Sequence, residues 1–287
     1  MSMRFQIVHT TRYLYQSEVF LEPHTLRLRP RCDTSQQLRH FSLSVEPRPL
    51  GQADSLDLDG NSQTLAWFGQ LTSNLTVISR ATVDTLRVNP FNFLVTAQPV
   101  LGLPAEYPDA IHNALSAYRE PAPDEESVAA FARGLAHESS HQTIAFLTLL
   151  ARRISEQCKS TMREGGPPNR AAETLEKQEG ACRDLAVLFI ECCRHMGLAA
   201  RFVSGYHEDE ACRRVDHMHA WAEVYLPGAG WRGFDPSTGL AVADRHVALA
   251  ASAHPEQAAP LVGTLRGNNV CSSMYAEVQI EVTTDEE

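Results

Sequence analysis

The stretch EGACRDLAVLFIECC, residues 179–193, decides how this chain is read, because it sets three of the seven cysteines around one helix. Leu185, Leu188, Phe189, Cys192 and Met196 recur at helical spacing and form one apolar face. Gly197 follows as a natural C′ residue, able to take the left-handed conformation that ends a helix. Cys192 lies on the apolar face about three turns in, and Cys193 about 100° further round. A mid-helix cysteine of this kind packs as a small hydrophobe. Cys182 is placed differently. It falls in the first turn, directly after Gly180-Ala181, where N–H groups lack intrahelical partners and the helix dipole is positive. That setting stabilises negative charge on sulfur, and the thiolate is the nucleophile. The same N–H groups can hold an oxyanion forming beside it, and Gly180 lets a substrate carbonyl come close. Location alone leaves both roles open for Cys182, nucleophile or structural thiol.

A nucleophilic cysteine needs a base, and the base needs an orienting group. Downstream stands DHMHAWAEVYLPGAGWRGFDPS, residues 216–237. Alternation predicts a strand from His219 to Leu226, with Ala220, Ala222, Val224 and Leu226 on the buried face and His219, Trp221, Glu223 and Tyr225 on the other. Pro227 to Gly230 form a tight antiparallel connection to a second strand ending at Asp235. If that connection is a hairpin, an imidazole and a carboxylate meet near one end of a sheet. Glu223 reads as a solvated or salt-bridged carboxylate. His217 and His246 are weighed as alternative bases and set aside. A metal site built on His217, His219 and Cys212 is disfavoured, since no CxxC or HExxH spacing supports it. No metal and no cofactor are expected.

Working outward, residues 1–97 read as β. Thr25 to Arg29 and Phe41 to Val45 alternate apolar with polar, Asp59-Gly60-Asn61 is a hairpin signal, and Leu75 to Val88 continues the pattern. Prolines 99, 104 and 108, then 121 and 123, break the chain, and the period becomes helical. Asp124 is a candidate N-cap for a helix to about Ala136; residues 142–158 make a second helix and Ala171 to Lys177 a short third. Strands return at Ala200 to Tyr206 and at Met274 to Val282. The expected fold class is α+β: an N-terminal β-sandwich-like domain over 1–97, then a core over 98–287 with a helical first half and a C-terminal strand. A net charge of −10 argues against a nucleic-acid partner and against docking on anionic lipid, both of which need a basic face. No apolar run of about 18 residues predicts a membrane span. With an odd cysteine count and no apolar stretch of signal-peptide type at the start, the thiols read as reduced and the location as cytoplasmic.

The blocks GACRDLA and HAWAEVYLPGAGWRGFDPSTG closely resemble the transglutaminase-like superfamily, with its papain-type Cys-His-Asp core of a helix packed on an antiparallel sheet. HTTRYLYQ, EPHTLRLRPR and DLDGNSQ resemble the bacterial transglutaminase-like N-terminal domain. The resemblance implies Cys182 as nucleophile, His219 as general base and then acid, and Asp235 as the group that orients the imidazole. It also puts Trp221 and Trp231 on motif positions around the site, with Trp221 and Gly180 as substrate-binding residues. Asp184 reads as a structural first-turn carboxylate. The family's second oxyanion donor has no clear match; Gln178 is the candidate, with Gln142 and Gln157 weaker. The implied reaction is acyl transfer through a thioester on a peptide or protein substrate. Hydrolysis by a cysteine protease or amidase is favoured, because no calcium loop of DxDxDG type is present. Protein-glutamine transglutamination with an amine acceptor is the alternative, and a catalytically retired binding module a further one. The sequence leaves the oligomeric state open.

Overall fold

A computed structural model describes residues 3–163, 165–208, 217–267 and 270–284. The first part is all strand: β1 (Met3–Leu21), β2 (His24–Leu26), β3 (Gln36–Glu46), β4 (Gly51–Leu56), β5 (Ser62–Trp67) and β6 (Leu71–Thr85). Period-two burial organises them; in β1, Phe5, Ile7, His9 and Thr11 turn inward in succession. The predicted turn joins β4 to β5. Gly60 takes φ +79°, and the Asp57 carboxylate accepts the N–H groups of Asp59 (3.0 Å) and Asn61 (2.9 Å). Of the alternating Thr25 to Arg29 segment only the start is paired as strand, yet Leu28 stays buried beyond it.

The middle is helical: α1 (Asp109–His112), α2 (Ser116–Arg119), α3 (Glu126–Glu138) and α4 (Thr143–Gln157), then β7 (Lys159–Ser160), α5 (Ala171–Lys177), β8 (Glu179–Gly180) and α6 (Cys182–His195). Asp124 does not cap α3. Its backbone is left-handed (φ +61°), which moves the helix start on to Glu126. The buried Glu125 carboxylate serves α5 instead, accepting the Ala172 N–H at 2.6 Å. The remainder is β9 (Ala200–His207), β10 (His219–Leu226), β11 (Gly230–Asp235), β12 (Leu240–Ala241), β13 (His246–Ser252), β14 (Leu261–Val262), β15 (Leu265–Arg266) and β16 (Ser272–Thr284).

Three principal sheets result. Two belong to the strand-rich N-terminal part, in the orders β15-β1-β6-β3 and β14-β2-β5-β4, and side chains of both enter one apolar cluster with Phe5, Val77, Leu26 and Phe68. The third, β12-β11-β10-β9-β13, receives α6. Leu185, Leu188 and Phe189 of the helix share a core with Ala220, Ala222 and Val224 of β10, and Phe189 stacks on Phe234 at 5.8 Å. The final strand, expected with the 98–287 unit, runs instead along β1, from Met3 opposite Thr284 to Tyr15 opposite Ser272. Its alternation was legible, but alternation names no partner. Val278 supplies the reason, since it is buried in the same cluster as Phe5 and Ile7.

The N-terminal part covers the sheet's second side. Tyr206, Val247 and Leu249 join its apolar cluster. Two side-chain amides take the outer edge of β13. Asn61 donates to the Ala251 carbonyl and accepts its N–H, both at 2.8 Å. Gln36 does the same for Ala248, at 3.0 and 2.7 Å. Each amide thus imitates a neighbouring strand and closes an otherwise open edge. Among the described residues no helix is long and apolar enough to cross a membrane.

Candidate active site

Cys182 opens α6 and is partly exposed, as its position in the first turn predicts. The turn before it is tied down by Asp184. One carboxylate oxygen accepts the Ala181 N–H at 2.8 Å; the other accepts the Asn169 N–H at 2.8 Å and Arg163 at 2.6 Å. Asp184 is therefore the structural carboxylate that the sequence suggests. Gly180 is buried beside it, and a Cβ at position 180 would stand 2.8 Å from Asp184 Cβ. The space left by the missing side chain is filled by Asp184. Cys192 and Cys193 are fully buried, and burial pushes both thiols up, Cys193 well above the usual range. They are packing residues.

His219 begins β10 and Asp235 ends β11, and the short connection pairs Tyr225 with Trp231 and Ala222 with Phe234. The register brings His219 Nε2 to 2.8 Å from Asp235 Oδ2. With Nε2 so committed, Nδ1 is the nitrogen free for sulfur, and the Cys182 thiol is near enough to this ring to act on its pKa. Burial by itself would lower the imidazole's pKa. The Asp235 charge and hydrogen bond, with the contact to Cys182, outweigh burial and raise it to about 10. Asp235 is wholly buried. Burial opposes its charge, but His219 and His246 hold the carboxyl well below the usual range. Its other oxygen accepts the Ser237 N–H at 2.9 Å.

Several expected residues sit elsewhere in role. Trp221 is only 1 % exposed, walled in by Val203, Ala248 and Ala251, with its ring 6.2 Å from that of His219. It packs under the imidazole and offers no face to a substrate. Trp231 lies at the far end of β10 against Tyr118 and Tyr225, with the Arg201 guanidinium 4.1 Å above its ring. Gln178 is exposed at the left-handed end of α5 (φ +49°), and no side-chain hydrogen bond ties it to the site among the described residues. His217 precedes β10 and is exposed; Cys212 lies outside the described residues. Glu223 is salt-bridged as expected but buried, between Arg201 at 2.7 Å and Arg31 at 3.3 Å.

His246, set aside in the sequence, belongs to the site. It opens β13, and its Nε2 stands 3.1 Å from the same Asp235 oxygen that His219 uses. Burial lowers its pKa despite that carboxylate. His207, at the end of β9, lays its ring 4.3 Å from His246 and 5.1 Å from His219. No spacing rule could have found these two, because sheet pairing (His246 opposite His207) and not sequence proximity brings them together.

A helix-terminal cysteine facing an imidazole and carboxylate on an antiparallel sheet defines the architecture of a papain-type thiol enzyme. Residues 129–236 match the model of the transglutaminase-like superfamily, and residues 5–84 match the bacterial transglutaminase-like N-terminal region. An uncharacterised protein of Mycobacterium tuberculosis is 27 % identical over 294 residues, covering 96 % of this chain and 92 % of its own length. One from Mycobacterium leprae is 24 % identical, with 98 % of both chains covered. Among solved structures, a "Putative Cysteine Protease" from Cytophaga hutchinsonii superposes with a TM-score of 0.70 at 20 % identity, over 100 % of this chain and 92 % of that one. At that identity the likeness is one of fold.

Proposed function

We propose that this chain is a cysteine hydrolase, a protease or amidase that cleaves peptide or isopeptide amides through a Cys182 thioester. The observation that carries the reading is the pairing of His219 Nε2 with the buried Asp235 carboxylate at 2.8 Å, with the Cys182 thiol near enough to help raise the imidazole's pKa. The sulfur attacks the amide carbonyl. The N–H groups of Cys182 and Arg183, which have no intrahelical acceptor in the first turn, face the developing oxyanion. The imidazolium gives its Nδ1 proton to the leaving amine as the C–N bond breaks. Water then attacks the thioester; His219 takes a proton from it, and the acid and the free thiol are released. Asp235 holds the ring in the tautomer that presents Nδ1 to sulfur and stabilises the imidazolium. Cys182 is partly exposed, so water can reach the acyl-enzyme.

Site-resolved iodoacetamide alkylation at pH 6, in wild type and His219→Ala, tests the pair. An unperturbed thiol, with a pKa of about 8.5, is mostly protonated there. Fast labelling at Cys182 that slows without His219 is expected. Labelling no faster than at exposed Cys32 and Cys271 would sink the reading and favour a retired binding module. Peptide screening with and without a primary amine then separates water from an amine as the acceptor.

A further inference from the structure

The thioester mechanism uses one imidazole, but three gather at Asp235. His207, His219 and His246 each present a ring nitrogen, and Asp235 an oxygen, all within 4.8 Å of one another. Two of the nitrogens stand 2.8 and 3.1 Å from one carboxylate oxygen. In a tetrahedral zinc site with bonds of about 2.0–2.1 Å, neighbouring donor atoms lie about 3.3–3.4 Å apart. Here the separations reach up to 4.8 Å and two are 2.8 and 3.1 Å, so the side chains would have to shift to seat an ion. The other carboxylate oxygen is fixed by the Ser237 N–H, an outer contact of the kind that orients metal ligands. His246 is only 8 % exposed, so its ring is held in place beside Asp235.

We propose that His207, His219, His246 and Asp235 form a binding site for a zinc-type divalent transition metal ion, and that the bound ion switches the thiol site off. Imidazole and a single carboxylate suit Zn²⁺ or Co²⁺; Mg²⁺ and Ca²⁺ take oxygen donors. The inhibitory half rests on the proposed function. When His219 Nε2 binds the ion, it gives up its hydrogen bond to Asp235. From the imidazolium form, the Nε2 proton leaves to solvent and one proton stays on Nδ1. A neutral imidazole bound through one nitrogen carries its proton on the other, so Nδ1 can no longer accept the proton of Cys182. The ion thus removes the base without touching the nucleophile.

The test is a titration of the full chain with Co²⁺, read by its visible d–d absorption, with Zn²⁺ as competitor. A saturable one-to-one complex with tetrahedral bands is expected, and Zn²⁺ should displace the Co²⁺. His246→Asn and His207→Asn should each weaken binding at least about tenfold, the loss that removing even an outer partner of a metal ligand can cause. Circular dichroism checks that both variants fold; His207, partly exposed, is the substitution less disruptive to the core. Cys182→Ala should bind as wild type. Absence of a one-to-one complex, or unchanged affinity in both histidine variants, overturns the site. So does loss of binding in Cys182→Ala together with sulfur-to-cobalt charge-transfer bands in wild type, which would put the metal on the thiol. Alkylation of Cys182 at pH 6, with and without Zn²⁺, separates the two ideas. One-to-one metal binding by a protein whose Cys182 never labels fast leaves the site standing and defeats the functional reading. Fast labelling with no metal binding does the reverse, and fast labelling that bound Zn²⁺ fails to slow defeats the switch.

Discussion

Replacing Glu223 by glutamine removes one negative charge from a buried cluster and keeps its volume. The carboxylate accepts Arg201 Nε at 2.8 Å and Arg31 Nη1 at 3.3 Å and is 6 % exposed. Burial would raise its pKa, but the two guanidiniums hold it down at about 2, below the ordinary glutamate value of 4.5. Holding the carboxyl from 4.5 down to about 2 corresponds to about 3 kcal/mol of stability at neutral pH. Independent reasoning gives a similar size, since breaking one partner of a buried ion pair costs about 3–5 kcal/mol. For a chain of this size that is a fall in Tm of roughly 6–12 °C. Because the folded pKa is depressed, the contribution is fully present above about pH 4.5 and is lost as pH falls toward 2. Urea unfolding of wild type and Glu223→Gln across that range reads the difference directly. A gap of about 3 kcal/mol at pH 7 that closes on acidification is expected. A gap under about 0.5 kcal/mol at pH 7, the size of an ordinary surface change, would refute the clamp, as would a full gap that persists at pH 2.

Cys182→Ala and His219→Ala should abolish turnover of any amide that wild type cleaves, while Asp235→Asn should retain a trace, with kcat down by about 10⁴, the cost of the wrong tautomer; steady-state kinetics on one substrate ranks all three. Asn61→Ala leaves the buried N–H and carbonyl of Ala251 unpaired and should cost about 2–4 kcal/mol in denaturant unfolding, whereas Gln63→Ala, on the exposed side of β5, should cost under about 0.5 kcal/mol. Alkylation of native protein at pH 8 should mark Cys32, Cys182 and Cys271 and spare Cys158, Cys192 and Cys193, which peptide mapping by mass spectrometry resolves.

What could be read from the sequence was what short-range periodicity encodes. The 3.6-residue spacing of Leu185, Leu188, Phe189 and Cys192 fixed α6 and separated Cys182 from its buried neighbours. The connection Pro227 to Gly230 set the register that brings Asp235 to His219. The misreadings came from contacts the chain makes over long separations. Alternation in β10 suggested one buried face and one open face, yet Trp221 and Glu223 are buried too: Trp221 packs against Val203, Ala248 and Ala251, and Arg31 from the N-terminal part covers Glu223. His246 looked unconnected because it reaches Asp235 from an edge strand two positions removed from β10, by way of β9. Gly180 suggested an opening for substrate, whereas its neighbour Asp184 needs the room.

The N-terminal part therefore belongs to the construction of the site. The strand that carries His246 is the edge of its sheet, and an edge strand is held on one side only by its sheet neighbour. Here the outer side is fixed by Gln36 on Ala248 and Asn61 on Ala251, with Arg31 N–H adding a second bond to the Ala248 carbonyl at 3.0 Å. Ala248 is two residues along the strand from His246, the second imidazole at Asp235. Strip away residues 31–61 and β13 loses every one of those anchors. Glu223 would keep only Arg201. The carboxylate that orients His219 is thus braced from two directions. The hairpin β10–β11 brings it within reach of the imidazole, and a strand positioned by the N-terminal sheets sets the second imidazole against it. Geometry at Cys182 comes from local sequence; geometry at Asp235 depends on the whole chain, and β16 closing on β1 ties the end of the chain to the part that anchors β13.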